Sequence, residues 1–321
     1  MNPLKNWSRV LAPALTLLAA SLSATTCLAQ AQETTGKQHV WLHENVFPES
    51  SSIDDLFNLI LYMTGAVGVG VFVVLAIFLV QYRQQPGRRA RFTHGNPKLE
   101  VVWTLIPTLI MALTAALSQA TWVQLKNWPQ LAPNEQAVYV NVIAQQFAWN
   151  FHYPGKDGKF GRVSAEFRNP AGDIKARIGL DPSDPAGKDD FVTAEMVAPV
   201  ERKIFVKLTS LDVLHSFFLP NFRVKQDAVP GMAVDVWLRS SKTSAEVMGV
   251  RTSGGLSVIN PQTGEETKVS LSKPFDVVCA ELCGAGHYTM RGLLYVLPQA
   301  EYERYIALNQ KGVESGKSEE F

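Results

Sequence analysis

The sequence predicts a two-helix transmembrane hairpin followed by an all-β sandwich or barrel. Two long runs without a charged residue lie before residue 126, a junction marked by Pro129 and Pro133 follows, and beyond it short β-branched and aromatic runs alternate with turn residues. A chain of 321 residues has room for two domains, or for one domain plus membrane anchors. The net charge of +1, with acidic and basic side chains nearly balanced from Asn134 onward, gives no electrostatic case for a nucleic-acid partner.

Residues 1–31 read as a secretory signal: Lys5 and Arg9 precede an apolar stretch from Leu11 to Leu22, and Ala29-Gln30-Ala31 offers a small-residue cleavage site. Cys27 falls inside this leader, and Ala24-Thr25-Thr26 before it matches a lipidation signal poorly. Residues 32–55 form an external segment. Leu56–Tyr82 holds 27 residues without a charge and Val101–Leu125 holds 25, each enough to span a bilayer core as a helix. Residues 56–126 therefore make the hairpin, with its loop at 83–99. That loop carries Arg83, Arg88, Arg89, Arg91 and Lys98, whereas Glu33, Glu44, Glu49, Asp54 and Asp55 precede the first span. The positive-inside rule puts the loop in the cytoplasm and both flanks outside, the topology of a multi-pass protein of a bacterial inner membrane with its large domain in the periplasm.

In the external domain, taken as 134–310, strands are expected at Ala137–Ile143, Arg202–Leu208, Ala233–Leu238 and Leu293–Leu297. Residues 169–192 and 241–270, rich in Gly, Pro, Ser, Thr and charge, read as long loops or added hairpins. The polar tail 311–321 reads as disordered.

The densest chemistry lies in Cys279-Ala280-Glu281-Leu282-Cys283-Gly284-Ala285-Gly286-His287-Tyr288-Thr289-Met290, which gathers two thiols, an imidazole and a thioether into one Gly-containing loop. Soft thiolate and thioether ligands select copper, and imidazole suits it. A mononuclear blue-copper site needs one Cys, so a second Cys four residues on permits two thiolates to bridge two ions, each wanting a further nitrogen. His215, about 64 residues upstream in Asp212-Val213-Leu214-His215-Ser216-Phe217, is the candidate for the second nitrogen. Zinc would accept the two Cys and two His but has no need of Met290, and a Cys279–Cys283 disulfide leaves His287 and Met290 without a reason.

At these residues the chain resembles the cytochrome c oxidase subunit II family. The Cys-x-Glu-x-Cys-x3-His-x2-Met run and Asp-Val-Leu-His-Ser-Phe match its binuclear copper (CuA) motif, and the likeness covers nearly the whole chain after the leader. The resemblance implies a cupredoxin-like Greek-key sandwich or barrel in which Cys279 and Cys283 bridge two coppers. His215 and His287 then ligate one copper each, and Met290 and the Glu281 carbonyl complete the set. It also implies a magnesium reached by the Glu281 carboxylate at the boundary with subunit I. The implied partners are subunits I and III, a cytochrome c donor and the lipid bilayer, and the implied role is to pass electrons from cytochrome c to haem a of subunit I, where oxygen is reduced to water with proton translocation.

Other positions follow the same resemblance. Glu100 stands where the family has a proton-uptake glutamate, and equally suits the positive start of a helix. Phe147 stands where many members carry the tryptophan of electron entry, and Trp149 is the second candidate for electron entry in that aromatic segment, although it is expected to pack beneath the copper site. Asp212 and Asp227 are assigned to the subunit I face, the latter within Lys225-Gln226-Asp227-Ala228-Val229-Pro230-Gly231. His39, His43, His94 and His152 lack ligand-like neighbours and read as surface or loop residues. No Cys-x-x-Cys-His run exists, so no covalent haem is expected. Two rivals remain open: the CuA subunit of a nitric oxide reductase, and a membrane-anchored carrier of one exchangeable copper.

Overall fold

The computed structural model describes residues 42–89, 92, 94–133, 135–259 and 266–314. The signal segment 1–31 with Cys27, His39 and residues 315–321 of the expected tail lie outside the described residues.

Two long helices come first. Helix α1 (Ser51–Gln81) follows a 3-10 turn at Pro48–Ser50. Helix α2 (Pro97–Lys126) starts where Pro97 fixes the first φ and the Asn96 side chain accepts hydrogen bonds from the Lys98 and Leu99 amides. At 1.5 Å per residue they reach about 45 Å, more than the ~30 Å of a bilayer core. Neither helix buries a residue among those described, and large apolar side chains from Leu59 to Trp122 stand exposed along both, as expected of helices solvated by lipid.

The domain beyond is all-β with short helical insertions. Its strands are β1 (Val138–Gln145), β2 (Ala148–Tyr153), β3 (Phe191–Thr193), β4 (Glu195–Pro199), β5 (Lys203–Ser210), β6 (His215–Leu219), β7 (Val224–Ala228), β8 (Val234–Arg239), β9 (Leu256–Ile259), β10 (Glu266–Ser270), β11 (Phe275–Cys279) and β12 (Arg291–Leu297). Helix α3 (Ile174–Ile178) lies between β2 and β3, α4 (Ser244–Met248) follows β8, and α5 (Gln299–Glu314) follows β12. One five-stranded sheet runs β3-β2-β1-β5-β8 and the other β4-β12-β11-β6-β7, while β9 and β10 form a separate hairpin. Pairing is parallel for β1–β5 and β4–β12 and antiparallel elsewhere, the mixed order of a cupredoxin-like sandwich.

Alternation sets the inner face. Val138, Val140 and Val142 of β1 are buried while Tyr139 between them is exposed. They meet Ile204, Val206 and Leu208 of β5, and from the other sheet Met196, Phe217, Leu219, Val277, Leu294 and Val296. The buried Tyr153 hydroxyl ties the sheets by donating to the Val197 carbonyl (2.9 Å) and accepting from its amide (2.7 Å), and burial pushes its pKa well above the ordinary range.

Two expectations are corrected. His152 is fully buried: its Nε2 lies 2.6 Å from Asp190 Oδ2, and the Asp190 carboxylate also accepts from the Gly155 and Gly161 amides. The insertion between β2 and β3 brings Asp190 to the imidazole and sets the Phe160 ring edge-on to it at 5.1 Å, which closes the histidine off. The chain at 311–314 is also helical, because α5 continues to Glu314 and lays Tyr302, Tyr305, Ile306, Leu308 and Val313 on the core.

Candidate metal centre

Strand register assembles the centre. Antiparallel pairing sets Cys279, at the end of β11, opposite Phe217 of β6, and the Ala280 amide continues the ladder to the Ser216 carbonyl (3.0 Å). His215, at the start of β6, is thereby delivered to the loop that leaves Cys279. That loop returns through a 3-10 turn at His287–Thr289, and the Cys279 amide closes it on the Met290 carbonyl (3.2 Å).

The donors converge. Cys279 Sγ lies 3.9 Å from Cys283 Sγ, too far for a disulfide, and both are free thiols. His215 Nδ1 is 3.8 Å from Cys279 Sγ, and His287 Nδ1 is 3.6 Å from Cys283 Sγ. Met290 Sδ is 3.8 Å from Cys283 Sγ, and the Glu281 carbonyl is 3.2 Å from Cys279 Sγ. His215, Cys283 and Met290 are buried, Cys279 and His287 half-buried. Two soft sulfurs ringed by two imidazoles, a thioether and a carbonyl fit copper chemistry, and the pair of thiols gives room for two ions. Burial, then the charge of neighbouring Cys279, pushes the Cys283 thiol up to about 11, so metal binding there is coupled to proton release.

Asp212 orients His215. Its Oδ1 accepts from His215 Nε2 at 2.9 Å, which leaves Nδ1 facing the sulfurs. Its Oδ2 accepts the Gln146 amide (2.8 Å), and its Oδ1 accepts the Val213 amide (2.8 Å) as well. Burial alone would raise this carboxyl, yet these donors together hold it below its ordinary value. Beneath, Trp149 is buried as expected, its ring edge-on to His215 (6.2 Å) and Phe217 (5.5 Å). Above, the half-exposed Phe147 ring lies on the loop at Gly284 and Gly286, where a Cβ on Gly286 would come within 2.5 Å of it. Gly284 also takes φ +133°, a conformation other residues rarely adopt. Leu282 and Tyr288 point outward at 79% and 87% exposure, so an apolar rim surrounds buried ligands.

The remaining expected residues sit elsewhere. Glu281 is exposed while its carbonyl faces Cys279. Asp227, paired with Ser216 across β6–β7, accepts from the Ser216 hydroxyl at 2.7 Å. Glu100 occupies the exposed first turn of α2. Sequence reasoning missed the Gln146 amide, which donates to the Cys283 carbonyl at 2.6 Å, and the contact of Asp212 with His215.

Comparison with known proteins converges on one family. Residues 37–120 match the model described as cytochrome c oxidase subunit II, transmembrane domain, and residues 138–250 match that described as the subunit II periplasmic domain. The second match ends before Cys279. The chain is 32% identical over 257 residues to the alternative cytochrome c oxidase subunit 2 of Bradyrhizobium diazoefficiens, covering 79% of each. It is 29% identical over 299 residues to cytochrome c oxidase subunit 2 of Cereibacter sphaeroides, covering 89% of this chain and 86% of that one. The crystal structure of the periplasmic domain of subunit II of Bradyrhizobium japonicum cytochrome oxidase aligns with a TM-score of 0.33 at 26% identity, over 56% of this chain and 98% of that domain.

Proposed function

Because this chain belongs to the cytochrome c oxidase subunit II family, we propose that it is the electron-relay subunit of a haem–copper oxidase. It accepts electrons from cytochrome c at a binuclear CuA centre and passes them to haem a of subunit I, where oxygen is reduced with proton translocation. The observation that carries the reading is the convergence of two thiols 3.9 Å apart with an imidazole nitrogen beside each. Cys279 and Cys283 would supply the thiolates shared by the two ions, His215 and His287 the nitrogen donors, and Met290 and the Glu281 carbonyl the remaining donors. When bound, the copper pair supplies one-electron exchange with little change in geometry. The chain's own part is to hold that geometry: Asp212 fixes the His215 tautomer, Trp149 packs under its ring, and burial of Cys283 and Met290 keeps water out. Electrons would enter at the apolar rim of Leu282, Tyr288 and Phe147, the exposed side chains around the donors, which suit contact with a partner protein. The exposed Glu281 carboxylate would be free to hold a magnesium at the boundary with subunit I, which would have to supply further oxygen donors. The external domain lies in the periplasm of a bacterial inner membrane, with subunit III completing the complex.

The test is copper content with electron paramagnetic resonance on the full chain purified in detergent and loaded with copper. Two coppers per chain, and hyperfine structure from one electron shared by two nuclei, are expected. A single exchangeable copper would overturn the relay in favour of the carrier. A relay that forms but supports only nitric oxide reduction in the assembled complex would reassign the partner.

A further inference from the structure

We infer that Gln146 is a positioning residue that clamps the two halves of the metal centre together, a role that rests on the copper-site reading above. The candidate donors come from two segments far apart in sequence, the start of β6 at His215 and the Cys279–Met290 loop. Strand pairing between β6 and its neighbours fixes the backbone at His215 and Cys279 but leaves the turn at Asp212 and the loop beyond Cys279, the two tips, to be placed by side chains.

Gln146, in the turn between β1 and β2, reaches both tips. Its backbone N–H donates to Asp212 Oδ2 at 2.8 Å, and the other oxygen of that carboxylate holds His215 Nε2 at 2.9 Å. Its side-chain amide donates to the Cys283 carbonyl at 2.6 Å, on the residue that supplies the buried sulfur. One residue thus sets the ring orientation of a nitrogen ligand and the backbone orientation at a sulfur ligand. The seat is made for it: at Gly284 a Cβ would come within 2.8 Å of the Gln146 amide nitrogen and 3.1 Å of the Phe147 ring. Gly284 is held as glycine by its φ of +133°, and Gly286 by the Phe147 ring, which a Cβ there would meet at 2.5 Å, so turn and loop pack closely on either side of the amide. Outer-shell partners of this kind are worth about 10–100-fold in metal affinity.

The experiment compares full-length wild type with Gln146→Met, which keeps length and loses the donor, and Gln146→Glu, which sets a carboxylate oxygen against the Cys283 carbonyl. Copper-loaded proteins are challenged with a chelator, their paramagnetic resonance spectra are recorded, and copper-free melting is followed separately. Copper release about tenfold faster in Gln146→Met, faster still in Gln146→Glu, and altered hyperfine couplings are expected. Combining Gln146→Met with Asp212→Asn should give less than the product of the single effects, since both loosen one clamp. Release and spectra within twofold of wild type in both variants, or a change confined to copper-free melting, would overturn the assignment and leave Gln146 a packing residue. Failure of the underlying reading is seen separately, as absence of paired copper in wild type.

Discussion

Cys283 is nearly sealed from solvent, with Cys279, His287 and Met290 all within 4 Å of its sulfur. Replacing it by Ser offers a harder oxygen with a shorter reach, so Cys283→Ser should lose the paired-copper spectrum outright, and Cys279→Ser likewise. Met290→Leu keeps the volume of a buried side chain and removes only the thioether. Copper should remain bound with shifted optical bands, and loss of all copper would show that Met290 does more than complete the set. Glu195, at the start of β4, makes a separate prediction. Burial raises its carboxyl above the ordinary glutamate value, so the folded state favours the protonated form. Its contribution to stability is full below the unfolded-chain pKa of about 4.3 and is lost as pH rises through the folded value. Glu195→Gln should therefore raise the melting temperature at pH 7 and gain little at pH 4; an equal gain at both would place the effect in packing. The candidate donors were legible because soft side chains cluster in one loop, but the second ring of contacts was not. Asp212 reaches His215 and Gln146 reaches Cys283 only through folding, the latter across 137 residues. His152 was misjudged for the same reason: its neighbour Asp190 arrives on a distant insertion.

At the scale of elements, periodicity carried most of the information. The expected strands Arg202–Leu208 and Ala233–Leu238 correspond to Lys203–Ser210 and Val234–Arg239, because β-branched and aromatic runs were bounded by turn residues. The expected loop or hairpin at 241–270 contains the β9–β10 hairpin, and α4 before it begins with a capping box between Thr243 and Glu246. Helix α5 went unread, although Pro298 followed by Tyr302, Tyr305 and Ile306 is a helical stripe behind a suitable start. The turn–loop contact over the metal centre gives this scale its prediction. Gly286→Ala would drive a methyl group into the Phe147 ring, where its Cβ meets ring atoms at 2.5–2.9 Å. Overpacking of this kind costs about 1–3 kcal/mol. The melting temperature should fall in Gly286→Ala and recover in part when Phe147→Ala is added, whereas additive losses would mean that the two do not share the contact.

Over the whole molecule, a single strand joins anchor to centre. β6 begins at His215 and ends at Leu219, about 13 Å away at 3.3 Å per residue. The turn that follows carries Arg223, whose guanidinium binds Asp54 of α1 at 2.6 and 3.2 Å and the Pro220 carbonyl at 2.6 Å. Nearby, Trp237 Nε1 donates to the Leu125 carbonyl of α2 at 2.8 Å, and Lys126 meets Gln226. The outer ends of both helices are thus held to the β-domain, α1 through the turn that ends the His215 strand and α2 through β7 and β8, so the anchor is fixed to the domain by more than the connecting chain. The Arg223–Asp54 pair is the strongest of these links by geometry, two-pronged and largely shielded, with Arg223 only 8% exposed. Arg223→Ala should loosen the domain from the helices without touching a ligand. In detergent, tryptic cleavage after Lys126 should then be several-fold faster while the spectrum of the copper-loaded protein stays unchanged. A double-mutant cycle with Asp54→Ala should give a coupling of about 1–3 kcal/mol in thermal unfolding. Unchanged cleavage would mean that Trp237 and the helix ends hold the domain by themselves. A changed spectrum would mean that the strand transmits the orientation of the anchor into His215.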